Sequence, residues 1–315
     1  MSAHPWFFRL SLLTTAVTLC VVVLGAWVRL TDAGLGCPDW PGCYGQWDVP
    51  NTEAAIAAAN EAFPDTPVDI GKGWREMVHR YLAGILGLMI LALGIFGWRQ
   101  RHRPGQPWRV PLLLVGLVTF QAILGAWTVT WQLKPAVVTA HLLGGLTTLS
   151  LLWWVTLRCN YLGGTGRLAG NAGLGAVIAA AMLVTVGQIT LGGWTSTNYA
   201  ALACADFPTC HGTFAPPMDF ANGFRLWHGL GINYEYGILD APARIAIHYT
   251  HRVWALMTAL VIVITALTLW RAGTQAERRN AGLLAAALGA QLCLGVLNII
   301  WQLPLPVAVA HNAGA

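Results

Sequence analysis

A chain of 315 residues that is 56% hydrophobic and only 10% charged is not an ordinary soluble domain, where charged residues make up about a quarter. Its net charge of +5 gives no reason to expect nucleic-acid binding, because the basic residues cluster in short loops between apolar runs and report topology instead.

Runs of about twenty apolar residues are long enough to cross a hydrocarbon core of roughly 30 Å. They predict spans at 8–28, 77–98, 111–131, 137–157, 172–194, 246–270 and 281–301. An eighth helix begins near Pro306 and, with Ala315 the last residue, is expected to be truncated. Each span must be helical, since a strand or loop facing lipid leaves backbone groups unpaired. The sixteen tryptophans suit a membrane protein, because indole favours the interface.

The loops set an orientation. Arg9 precedes the first span, and Arg99, Arg101, Arg103 and Arg109 separate the second from the third. Arg158 and Arg167 follow the fourth, and Arg271, Arg278 and Arg279 follow the sixth. All fall on one side, which the positive-inside rule makes cytoplasmic. Of the thirteen acidic residues, only Glu277 lies there. The expectation is a multi-pass protein of a bacterial cytoplasmic membrane, N-terminus inside, with the first span as its insertion signal.

The chain also repeats itself. Leu24-Gly25-Ala26-Trp27, Leu35, Cys37, Asp39, Pro41, Cys43 and Gly45 return 167 residues later as Leu191-Gly192-Gly193-Trp194, Leu202, Cys204, Asp206, Pro208, Cys210 and Gly212. His79-Arg80 returns 172 later as His251-Arg252, and Trp98-Arg99 as Trp270-Arg271. Gln121, Leu124-Gly125 and Trp131-Gln132-Leu133 return 170 later as Gln291, Leu294-Gly295 and Trp301-Gln302-Leu303, and the same shift carries His141 onto His311. Order and spacing kept over half the chain mark a duplication. The fold expected is all-α: two tandem four-helix bundles, 1–157 and 172–315, joined by a Gly-rich cytoplasmic linker, 158–171. An even number of spans per half gives both the same orientation, hence a pseudo-two-fold axis along the membrane normal.

His79 and His141 fall in the outer third of their spans, and His251 and His311 repeat them. Two imidazoles facing one bundle interior suit the axial positions of a haem iron. Ala83, Gly84 and Gly87 after His79, and Gly144-Gly145 after His141, leave room for a flat macrocycle. One histidine at a membrane edge could be a plain interfacial group, but four at matched positions favour ligation, because burying such groups is costly. Zinc fits less well, since two imidazoles leave a tetrahedral shell incomplete. His4, His102, His211, His228 and His248 have no matching histidine and are assigned no ligand role.

The stretch from Gly25-Ala26-Trp27-Val28-Arg29-Leu30-Thr31 through Cys37-Pro38-Asp39-Trp40-Pro41-Gly42-Cys43, then Glu76-Met77-Val78-His79-Arg80, resembles the haem A synthase family. So do His141, His251-Arg252 and His311-Asn312-Ala313-Gly314. The resemblance implies an oxidoreductase that converts the C8 methyl group of haem O to the formyl group of haem A for terminal oxidases. It also implies that His79 and His141 handle the substrate haem O, while His251 and His311 hold a resident haem b. A haem O synthase, an electron acceptor, membrane lipid and a second copy of the chain are the partners it leaves room for.

Glu76, three residues before His79, shares a helix face with it and could move a proton or stabilise charge on the oxidised carbon; otherwise it only orients the helix. His248 stands at the matching place in the second half, so the acid is not repeated, which suggests chemistry in the first half and a stored cofactor in the second. Arg80 and Arg252 could pair with haem propionates or lipid phosphates. Cys37/Cys43 and Cys204/Cys210 lie in outer loops, where disulfides persist, and either stiffen those loops or, for the first pair, pass electrons. Cys20, Cys159 and Cys293 read as packing residues. A di-haem electron carrier is the main alternative, ahead of a thiol-oxidising protein and a transporter.

Overall fold

The computed structural model describes residues 5–160, 172–229 and 231–315. Among them run α1 (Pro5–Leu30), α2 (Glu53–Ala62), α3 (Ile70–Arg99), α4 (Arg109–Thr130) and α5 (Pro135–Asn160). Then follow α6 (Ala172–Thr197), α7 (Phe220–Gly223), α8 (Ala241–Ala272), α9 (Gln275–Ile300) and α10 (Leu305–Ala313). Seven of these helices are long and apolar enough to cross a membrane, and they match the seven predicted spans. The protein is therefore an all-α integral membrane protein. Most of the expected linker, 161–171, lies outside the described residues.

The largest differences lie at helix starts, and α9 begins at Gln275 where 281 was expected, its first turns carrying Glu277, Arg278 and Arg279. Helix α3 starts at Ile70 and α8 at Ala241, where 77 and 246 were expected, because their first turns are too polar for a hydropathy reading. Side-chain caps hold those turns. Asp69 accepts the Lys72 N–H at 2.9 Å, and Asp240 accepts the Ala243 N–H at 3.1 Å, satisfying donors that a helix start leaves open. Helices α2 and α7 belong to the loops before α3 and α8 and are too short to register as spans.

Contacts divide the chain into two compact units, Met1–Thr165 with Gly229–Glu235, and Gly166–His228 with Tyr236–Ala315. In the first, α1 and α4 each pack against both α3 and α5. Phe7, Val21, Leu86, Ile90, Leu93, Leu114, Leu152 and Val155 form the core between them. The polar residues of α1 do not break this core. Thr14, Thr15 and Thr18 each donate to the carbonyl four residues back, at 2.7–2.8 Å. The segment 229–235 joins this unit through the Tyr234 N–H to the Gln132 carbonyl, 3.0 Å, and Lys134 Nζ to the Gly229 carbonyl, 2.9 Å. In the second unit α8 packs against α6, α7 and α9, and α10 packs against α9.

The repeated Trp-Gln-Leu forms the same tight turn in each unit. Gln132 and Leu133 have φ of 49° and 60°, and Gln302 and Leu303 have 56° and 62°. The Leu133 N–H donates to the Thr128 carbonyl, and the Leu303 N–H to the Asn298 carbonyl, both at 2.7 Å. Chain reversal at these turns starts α5 and α10, which carry His141 and His311.

Candidate haem-binding site

Each of the four histidines lies against a glycine of a neighbouring helix. A Cβ added to Gly25 on α1 would stand 3.0 Å from His79 Cε1, and one on Gly125 of α4 would stand 3.5 Å from His141 Cε1. In the second unit, Gly192 of α6 and Gly295 of α9 would each meet Cε1 of His251 and His311 at 3.3 Å. These four glycines belong to the repeated Leu-Gly pairs. At Gly25, Gly192 and Gly295 a side chain would crowd the imidazole, which gives the repeated glycine a physical reason there, whereas at Gly125 a Cβ would make ordinary contact. His79 lies within electrostatic reach of His141, and His251 of His311, so each unit gathers its own pair.

The nitrogens suit a metal-centred group. Nδ1 of His79, His141 and His311 is buried without a hydrogen-bond partner, an arrangement that calls for a reason, and an imidazole lone pair left for iron supplies one. Nδ1 of His251 instead faces Gln188 Nε2 at 3.2 Å. Gly84 and Gly87 have open space where a Cβ would point. Gly144 differs, because its space is taken by the Gln121 amide. Gly314 repeats that pairing more loosely with Gln291, whose Nε2 also donates to the His311 carbonyl at 3.1 Å. Among the described residues no three His, Cys, Asp or Glu side chains gather as a metal site.

The chain matches the model of the cytochrome oxidase assembly protein family, COX15-CtaA, over residues 8–315. The chain belongs to this family. It is 41% identical over 310 residues to the "Heme A synthase" of Shewanella oneidensis, covering 98% of this chain and 92% of that protein. The "Heme A synthase" of Parvibaculum lavamentivorans is 28% identical over 323 residues, covering 95% and 87%, and that of Halalkalibacterium halodurans is 27% identical over 263 residues, covering 80% and 82%.

Above the histidines, this family member folds two disulfide loops. Cys37 bonds to Cys43 and Cys204 to Cys210, and all four cysteines are fully buried. One aspartate organises each loop. Asp39 accepts the Tyr44 and Gly45 N–H groups, both at 2.7 Å. Asp206 accepts those of His211 and Gly212 at 2.6 and 2.9 Å, and the Thr209 hydroxyl at 2.5 Å. These bonds hold the left-handed turns at Tyr44-Gly45 and His211-Gly212 (φ 53°, 75° and 55°, 74°). The Thr209 hydroxyl, then the backbone N–H groups, keep the Asp206 carboxyl below the usual carboxylate range.

A group with a depressed pKa stabilises the fold above its ordinary value and loses that contribution as pH falls through the lowered one. The second loop is therefore expected to resist protease down through the normal titration range of an aspartate. In Asp206→Asn one acceptor oxygen is lost, and limited proteolysis between pH 7 and pH 4 should cut the loop throughout; equal resistance would count against this role.

Glu76 faces the first loop. Its Oε2 accepts the Cys37 N–H at 2.9 Å, and its Oε1 accepts from Arg80 at 2.5 Å. Arg80 also donates to the carbonyls of Asp39, Pro41 and Gly42. Arg252 donates to the carbonyls of Thr209 and Cys204 at 2.9 and 2.6 Å. Both guanidiniums are thus engaged with loop carbonyls. His248, expected to have no ligand role, occupies the place of Glu76: the Cys204 N–H and Arg252 Nε approach its two ring nitrogens, each at 3.2 Å. The 172-residue shift aligns it with Glu76, the correspondence read from the sequence.

Proposed function

We propose that this protein is a haem A synthase, oxidising the C8 methyl group of haem O to a formyl group, in a bacterial cytoplasmic membrane with its N-terminus inside. The observation that carries the reading is the pair of half-buried imidazoles in each unit, seated on glycines, within a chain of this family. We assign His79 and His141 to the iron of the substrate haem O and His251 and His311 to a resident haem b. A bound haem b would supply an electron relay. The arginines act on these sites through the loops they hold.

The residue three before the first histidine of each pair is a carboxylate in the first unit, Glu76, and an imidazole in the second, His248. Glu76 lies one turn outward of His79 on α3, and its bonds to Arg80 and the Cys37 N–H fix its place. From there it can hold a proton near the methyl group being oxidised or stabilise positive charge on that carbon. The buried Cys37–Cys43 bond stiffens the loop that carries one of those donors.

The test is pigment extraction from a bacterial host that makes haem O and lacks its own converting enzyme. With this chain expressed, haem A should become a major extracted pigment. A host that keeps haem O alone, while the purified chain shows two bis-histidine haems, would favour an electron carrier instead.

A further inference from the structure

In both units a backbone N–H of the disulfide loop and a guanidinium converge on one buried side chain. In the first unit that side chain is Glu76, which receives the Cys37 N–H at 2.9 Å and Arg80 at 2.5 Å on separate oxygens. In the second it is His248, 4% exposed, with the Cys204 N–H 3.2 Å from Nδ1 and Arg252 Nε 3.2 Å from Nε2. A carboxylate has lone pairs for both donors. A neutral imidazole has one, because its other nitrogen carries hydrogen. His248 therefore satisfies one donor at a time and turns an N–H towards the other.

We propose that His248 is a positioning residue that latches the second disulfide loop to α8, and that it forms a one-bond latch where Glu76 forms a two-bond one. The remaining Arg252 N–H groups grip the loop at the Thr209 and Cys204 carbonyls, so the orientation of His248 also sets how the guanidinium faces the loop. With the imidazole in place the second loop opens more readily than it would with an acid there. The latch depends on hydrogen-bonding geometry alone and holds whatever the second unit binds.

Cys204 and Cys210 are fully buried, so reductant reaches their disulfide only when the loop opens. The purified full chain in lipid nanodiscs is treated with a water-soluble phosphine and iodoacetamide, and alkylation of Cys204 and Cys210 is followed by mass spectrometry. His248→Glu should slow alkylation about tenfold and His248→Ala should speed it about tenfold, the factor supplied by roughly one hydrogen bond to a charged group. His248→Gln, whose amide oxygen has lone pairs for both donors, should slow it by a smaller factor. Alkylation of Cys37 and Cys43 in the same samples should not change. A residue that merely fills space would be disturbed by the glutamate as well as by the alanine. The proposal is overturned if His248→Glu and His248→Gln are both as fast as, or faster than, the unaltered protein. If the glutamate variant does not fold, the glutamine and alanine rates decide on the same terms.

Discussion

Replacing His79 with alanine should abolish haem A formation in cells, to below about one hundredth of the unaltered level, a loss comparable to removing a group needed in the transition state. The ring sits against Gly25 with Nδ1 buried and unpartnered. Nothing else on α3 within a turn can supply an imidazole, and His141 alone would supply a bound haem with one ligand in place of two. His141→Ala should behave alike. The measurement is the ratio of haem A to haem O in extracted membranes, with immunoblotting to show that the variant accumulates. Normal haem A in a well-expressed His79→Ala strain would remove the first unit from the chemistry.

Arg80→Ala should be the most destabilising single change, at about 3–5 kcal/mol, the range for breaking a buried ion pair by deleting one partner. The Arg80 and Glu76 side chains are 11% and 6% exposed, so the substitution leaves a buried carboxylate with only the backbone N–H groups of Cys37 and Gly36. It also releases the loop carbonyls of Asp39, Pro41 and Gly42. The double variant Glu76→Leu/Arg80→Met should be markedly more stable than Arg80→Ala, because it buries no lone charge, though it should be inactive. Thermal unfolding in detergent would check the order. If the double variant were the less stable, the loop carbonyls would outweigh the ion pair.

Much of this site is legible in the sequence because it is written twice there. The histidines, the loop cysteines, Asp39/Asp206 and the Leu-Gly pairs recur in order, and recurrence alone singles them out. What the glycines do is not legible, since Gly25 and His79 meet only when α1 packs on α3. The partners of Glu76 are half legible: Arg80 lies one helical turn away, but the Cys37 N–H is 39 residues distant and a backbone donor leaves no mark in composition. The loop partners of the arginines are hidden for the same reason, as carbonyl acceptors in a folded loop carry no sequence signal. The place of His248 is legible from the repeat, but its partners, the Cys204 N–H and Arg252 Nε, show only in the fold. Helices α2 and α7 lie in polar loops, where neither length nor hydropathy distinguishes them.

Two matched histidine pairs are thus assigned different work, and the absorption spectra of His79→Ala and His251→Ala proteins purified side by side test that division most directly. His79→Ala should retain a b-type haem spectrum while yielding no haem A in the cells it came from, and His251→Ala should lose that spectrum. A His251→Ala protein with an unchanged b-type spectrum, or a His79→Ala protein stripped of it, would contradict the division between a reacting first unit and a storing second one.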